Sequence, residues 1–274
     1  MNPDLKFNQS ISMNLRQLTK QTCEIAIEAG EFLRSEIRKL NSSDIELKGF
    51  NNFVTYVDRE SESLIMDRLT KILPGSGFIA EESPQLKSSE LTWVIDPLDG
   101  TTNYIHGVPM YCVSIGLMQD TRILAGVIYE VNLNECFYTW ENAPSYKNGE
   151  VIRVSDTATV SDSLFATGFP YHDYGRMEDY LDIFRYLMQH SRGIRRLGSA
   201  AADLAYTAAG RYDGFYEYGL SPWDVSAGVL LVQNAGGKVC DFSGGDNPVF
   251  QKEIIATNNL VHNEFKNLFR LWNR

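Results

Sequence analysis

Cysteine is sparse in this chain, and the four present follow no pattern. Cys23, Cys112, Cys136 and Cys240 lie far apart, with no C-x-x-C pair. That excludes the spacing of a zinc ribbon or a dense disulfide framework, and leaves the reduced thiols of a cytoplasmic protein as the expectation. Histidine is equally thin: His106, His172, His190 and His262 share no metal-ligand spacing. No apolar run approaches the ~20 residues that a membrane-spanning helix needs. The opening stretch MNPDLKFNQSIS has no apolar core of the secretory type, and residues 1–12 are expected to form a disordered tail. Basic excess is absent too. With 25 Lys and Arg against 35 Asp and Glu, the formal charge is −10. Nucleic-acid binding wants a basic face, so no nucleic-acid partner and no membrane partner are expected. G-x-x-x-x-G-K-[ST], G-x-G-x-x-G, G-x-S-x-G and the D-x-D-x-D-G calcium loop are all missing.

What the chain does have is Trp93-Val-Ile-Asp-Pro-Leu-Asp-Gly-Thr-Thr-Asn103. The apolar run Leu91–Ile95 reads as a buried strand. Asp96 then stands at its carboxyl end, where open α/β sheets place ligands. Pro97 stiffens the step, so that Asp99 and the Leu98 carbonyl can face the same point as Asp96. Two carboxylates and a carbonyl suit a hard divalent cation such as Mg²⁺. Gly100 lets its N–H approach an anion, and Thr101-Thr102 reads as a helix opening whose free N–H groups attract phosphate. Metal ligands beside an anion cradle point to metal-assisted phosphate chemistry.

Around this motif the pattern alternates. Helices are expected over residues 14–40, from Arg59 to Pro74-Gly75, over Met177–His190 and Ala200–Ala209, from Ser221-Pro222 to Gly236-Gly237, and near Glu264–Leu271. Strands are expected at Phe53–Val57, Gly77–Ala80, Leu91–Ile95, Tyr111–Gln119, Ile123–Val131, Glu135–Trp140, Phe165–Thr167, Gly214–Tyr218, Lys238–Asp241 and Ile254–Ala256. Lys48–Asn52 reads as a polar loop. Such alternation with few long linkers predicts a layered α/β fold. At 274 residues it fits one unit over 13–274 with two intimate subdomains, about 13–148 and 149–274, the division falling at Asn148-Gly149.

Each candidate acidic residue has an innocent reading. Asp58 reads as a plain helix N-cap, Asp224 as the third residue of a capping box begun by Ser221, and Asp99-Gly100 as a turn. Glu81 and Glu217 read as solvated charges. Together they say more. Asp58, Glu81 and Asp96 each close a predicted strand, and carboxylates gathered at one sheet edge repel unless cations neutralise them.

Two long motifs give the chain its resemblance. The first runs from Trp93 through Asn103-Tyr104 to Pro109 and on to Val113-Ser-Ile-Gly116; the second is Ser221-Pro-Trp-Asp-Val-Ser-Ala-Gly228, continuing to Gly237. Shorter ones are Phe53–Asp58, Gly77–Ser83 and Gly198-Ser-Ala-Ala201. In these the chain resembles the inositol monophosphatase family of Mg²⁺-dependent, lithium-sensitive phosphatases, from about Leu15 onward. The resemblance implies an αβαβα five-layered sandwich of the inositol monophosphatase and fructose bisphosphatase type, a homodimer, and two or three Mg²⁺ per site. It puts Glu81, Asp96 and the Leu98 carbonyl on one metal, and Asp96, Asp99 and Asp224 on another. Glu81 serves a third metal as well, and Asp58 and Thr101, with Glu81, act on the attacking water. The backbone N–H groups of Gly100 and Thr101 hold the phosphate, Ser199, Ala200 and Glu217 contact the polyol, and Asp99 and Asp224 count among the substrate-binding residues as well. The implied substrate is a small phosphorylated polyol, inositol 1-phosphate first. 3′-Phosphoadenosine 5′-phosphate, fructose 1,6-bisphosphate and NADP are the alternatives, and a non-catalytic regulatory protein is the alternative of another class. Ala80 and Ser226 depart from common family residues without removing a ligand.

Overall fold

A computed structural model describes residues 14–39, 45–49, 52–83, 89–170 and 174–271. The expected tail, residues 1–12, lies outside them. Two helices come first: α1 (Leu15–Glu36) and α2 (Tyr56–Ile72). Between them sit two short strands, β1 (Ile45–Gly49) and β2 (Asn52–Thr55), paired antiparallel. Much of the stretch read as a loop at 48–52 therefore belongs to this hairpin. α2 also starts earlier than expected. Thr55 accepts a hydrogen bond from Val57 N, and its own N–H donates to Asp58 Oδ2 at 2.8 Å. The N-cap is thus Thr55, and Asp58 is the third residue of a capping box, not the cap itself.

A seven-stranded sheet follows in chain order: β3 (Gly77–Ala80), β4 (Leu91–Asp99), β5 (Cys112–Gln119), β6 (Arg122–Glu130), β7 (Glu135–Trp140), β8 (Ser145–Lys147) and β9 (Glu150–Ile152). Only β3 and β4 run parallel. β8 and β9 pair across Asn148-Gly149, both residues at positive φ. The division expected near 148 thus falls in a hairpin turn whose two strands extend the first sheet. A second sheet takes the order β11-β10-β12-β14-β13, from β10 (Leu164–Thr167), β11 (Gly193–Arg195), β12 (Gly214–Tyr218), β13 (Lys238–Cys240) and β14 (Glu253–Thr257).

Four more helices complete the described fold: α3 (Thr101–Ile105), α4 (Met177–His190), α5 (Ala200–Ala208) and α6 (Pro222–Asn234), before a short α7 (His262–Lys266). Three buried clusters show the layers. Leu33, Ile65 and Leu69 of α1 and α2 pack against Trp93, Ile95 and Val127 of the first sheet. Leu204, Ala205, Ala227 and Leu231 of α5 and α6 fill the space between the sheets with Val94, Ile128 and Phe215. Tyr180, Ile183 and Leu187 of α4 cover the outer face of the second sheet with Phe165, Tyr216 and Phe265. The result is the five-layered αβαβα sandwich that the family resemblance implied. No helix among the described residues is long and apolar enough to cross a membrane.

Two glycines decide how closely α6 lies on the first sheet. A Cβ on Gly126 would sit 2.7 Å from the Ala227 carbonyl oxygen, and one on Gly116 would sit 2.5 Å from Ser226 Oγ. Helix backbone therefore rests directly on sheet backbone. Ser114 Oγ adds a 3.3 Å hydrogen bond to the Trp223 carbonyl. This seating fixes the start of α6, and with it Asp224.

Candidate active site

The site begins in β4. Asp96 pairs with Ser114, but Asp99 pairs with Cys112, so one extra residue is inserted on β4. Pro97 has no N–H to give the ladder, and a bulge absorbs the break. The strand thus runs to Asp99, beyond the Ile95 end expected from hydropathy. Leu98 N returns to donate to Asp96 Oδ1 at 3.0 Å, and the Leu98 carbonyl accepts from Thr101 Oγ1 at 3.1 Å. Gly100 follows at φ 101°, where a Cβ would meet the Met110 carbonyl oxygen at 2.9 Å. Only glycine fits that turn.

Ten of the eleven residues singled out from the sequence line one cavity of about 240 Å³: Glu81, Asp96, Leu98, Asp99, Gly100, Thr101, Ser199, Ala200, Glu217 and Asp224. The eleventh, Asp58, lies behind its wall. It is buried, and reaches the cavity through Thr101, whose Oγ1 donates to Asp58 Oδ1 at 3.1 Å. Three helix starts converge here, those of α3, α5 and α6, and their first-turn amides favour negative charge.

Three carboxylates share a pattern. Asp96 gives one oxygen to Leu98 N. Asp224 gives Oδ2 to Ser221 N at 2.7 Å. Asp99 gives Oδ2 to Ser199 Oγ and to Ala201 N, each at 2.7 Å. In each case a backbone N–H anchors one carboxylate oxygen. Burial, then the charges of Glu81, Asp99 and Asp224, hold the Asp96 carboxyl well above the usual carboxylate range. Burial and the Asp99 charge do the same to Asp224. Burial also pushes Asp99 up, to about 6, against the hydrogen bonds from Ser199 and Ala201. Among the described residues no three acidic, histidine or cysteine side chains close tightly enough to enclose a cation. The donors themselves are all oxygen, anionic and anchored at one end, which fits a hard divalent cation.

Ser199 carries a second job that sequence did not reveal. Its hydroxyl caps α5 through Ala202 N and lies 3.3 Å from Cys112 Sγ, besides bonding Asp99. Arg196 and Asp203 also line the cavity and were not foreseen. The Arg196 guanidinium lies over the Phe169 ring, 5.2 Å from its centroid. None of His106, His190 and His262 lines it; His172 lies outside the described residues. The four cysteines are buried and free.

A five-layered sandwich with an acidic, helix-capped cavity between its sheets defines a class, and comparison with known proteins narrows it. Residues 14–270 match the inositol monophosphatase family. The Nus factor SuhB of Pseudomonas aeruginosa is 41% identical over 239 residues, covering 85% of this chain and 88% of that protein. The fructose-1,6-bisphosphatase/inositol-1-monophosphatase of Thermotoga maritima is 39% identical over 217 residues, 79% of this chain and 82% of that one. The crystal structure of inositol monophosphatase from Anabaena superposes with a TM-score of 0.84 at 36% identity, covering 94% of this chain and 97% of that one. The chain belongs to the inositol monophosphatase family.

Proposed function

We propose that this protein is a Mg²⁺-dependent phosphatase that hydrolyses a phosphate monoester of a small polyol, inositol 1-phosphate first. The observation that carries this reading is the gathering of Glu81, Asp96, Leu98, Asp99 and Asp224 around one cavity, beside the turn at Gly100. Asp96, Asp99, Asp224, Glu81 and the Leu98 carbonyl would hold the metal, two or three ions per site. Bound Mg²⁺ would supply a Lewis acid that eases water deprotonation and neutralises charge on the phosphate and leaving oxygens.

The chain's own residues supply position and proton traffic. The Thr101 hydroxyl proton is shared between the Leu98 carbonyl and Asp58 Oδ1, both at 3.1 Å. Its lone pairs are therefore free to accept a hydrogen bond from water on the cavity side. Asp58 is the proton's destination. Burial lifts its carboxyl above the usual range, although Thr55 and Thr101 bond it. Glu81 stands on the cavity wall as the second group able to orient that water. The amides of Gly100 and Thr101 hold the phosphate oxygens. Glu217 and the Ser199-Ala200 segment face the polyol. The gain is positioning and charge stabilisation, with no covalent intermediate.

The name of the Thermotoga relative keeps fructose 1,6-bisphosphate as the second substrate reading, and that of the Pseudomonas relative keeps a regulatory role. A phosphate-release screen tests all three. Inositol 1-phosphate, fructose 1,6-bisphosphate, 3′-phosphoadenosine 5′-phosphate and NADP are each offered with Mg²⁺ and with EDTA. Release confined to Mg²⁺ and inhibited by lithium supports the reading. No release from any substrate refutes it and favours the regulatory role. Light scattering checks the homodimer that the family implies.

A further inference from the structure

Besides the carboxylates assigned to metal, three charged side chains line the cavity: Asp203, Glu217 and Arg196. Asp203 lies on α5, one turn past Ala200, and is 1% exposed. Its Oδ1 is buried with no hydrogen-bond partner. An orphaned buried acceptor destabilises a fold, so its retention on a cavity wall points to a ligand that donates to it. Glu217 lines the same cavity, and the bare Gly168 makes room for it: a Cβ there would fall 2.0 Å from the Glu217 carboxyl.

Arg196 is the single basic side chain among the described residues that line the cavity. Burial holds the Asp203 and Glu217 carboxyls well above the usual carboxylate range, and the Arg196 charge in the same cavity opposes that rise in both, as it does for Asp99. A second phosphate on the leaving group would bring up to two more negative charges beside the Asp203 and Glu217 carboxyls, with Arg196 the one basic side chain of the lining to meet them. A neutral polyol would bring hydroxyl donors to two carboxyl acceptors.

Resting on the phosphatase reading above, we propose that Asp203 determines leaving-group selectivity: it accepts a polyol hydroxyl and keeps Arg196 occupied, so that neutral polyol monophosphates are preferred and bisphosphates are turned away.

The test is steady-state hydrolysis of inositol 1-phosphate and fructose 1,6-bisphosphate by wild type and Asp203→Asn, with saturating Mg²⁺ and a thermal melt on each. Wild type is expected to favour the monophosphate in kcat/KM. In Asp203→Asn the preference for the monophosphate should fall by at least about tenfold, the scale on which a polar partner discriminates between ligands. The change should lie in KM, rising for the monophosphate and falling for the bisphosphate, with kcat nearly unchanged. Asp203→Glu should restore part of the preference. Equal losses on both substrates would assign Asp203 a structural role and overturn the proposal. So would a wild-type enzyme that cleaves the bisphosphate as well as the monophosphate, a result needing no variant. Turnover without selectivity overturns only the role of Asp203; absence of any Mg²⁺-dependent turnover overturns the phosphatase reading itself.

Discussion

Replacing Gly126 by alanine tests whether the seating of α6 on the first sheet is what places Asp224. The added Cβ would lie 2.7 Å from the Ala227 carbonyl oxygen, 2.9 Å from its Cα and 3.1 Å from its carbonyl carbon. All three obstacles are backbone, so no rotamer relieves them. Ordinary contact begins near 3.4 Å, so α6 or β6 must move by about 0.7 Å. Overpacking of this kind costs about 1–3 kcal/mol. At ~2–4 °C per kcal/mol for a domain of this size, melting should fall by several degrees. Ala227 is three residues beyond Asp224 on the same rigid helix, so the carboxylate moves too. A shift approaching 1 Å in a catalytic group costs up to ~10²-fold in rate. The expected result is a lower melting temperature together with at least about tenfold lower turnover and a higher Mg²⁺ requirement. Gly116→Ala makes the contrast. Its Cβ meets a side chain, Ser226 Oγ at 2.5 Å and Cβ at 3.1 Å. Adding Ser226→Gly should therefore rescue Gly116→Ala and leave Gly126→Ala unrescued. Normal melting and a normal Mg²⁺ titration in Gly126→Ala would refute the argument.

Three other outcomes are expected. Ser226→Ala removes a buried hydroxyl with no partner, and urea unfolding should show stability unchanged or raised by about 1 kcal/mol. Asp99→Asn should cut turnover by at least about a hundredfold, the scale of losing one preorganised electrostatic contact, in a phosphate-release assay. His262 has its pKa lowered to about 4, chiefly by burial and then by Lys266 and Lys238. The unfolded chain then binds the extra proton between pH 6.5 and 4, so this residue's contribution is intact above pH 6.5 and is lost as pH falls toward 4. The loss amounts to up to ~3 kcal/mol. Urea unfolding at pH 7.5 and pH 5 should show a smaller acid loss in His262→Gln than in wild type.

The long elements were legible because their signals are local. Glu135–Trp140, Met177–His190 and the Ser221-Pro222 helix start appear where alternation, amphipathic spacing and capping chemistry placed them. The short pieces were not. Three-residue strands such as β8 and β9 carry no period, and Asn148-Gly149, a strong hairpin signal, was read as a boundary instead. Asp58 was shifted from cap to third position because Thr55 competes for the same role with a better-placed hydroxyl. In the site, the acidic residues stood out through their neighbours: proline, glycine and threonine around Asp96 and Asp99, proline and serine around Asp224. Asp203 has alanines and leucine for company, and nothing local separates it from a surface helix residue. Its meaning comes from the contact of α5 with the cavity, which is a property of packing.

The central claim is that side chains far apart in sequence share metal ions in the folded protein. Crystals soaked in Mn²⁺, with anomalous maps to locate the ion, test this most directly. Peaks are expected in the cavity, with oxygens of Asp96, Asp99 and Asp224 within ~2.2 Å of one ion and Glu81 on another. Peaks confined to other surfaces, or a cavity ion that leaves Asp224 out of its coordination, would contradict it.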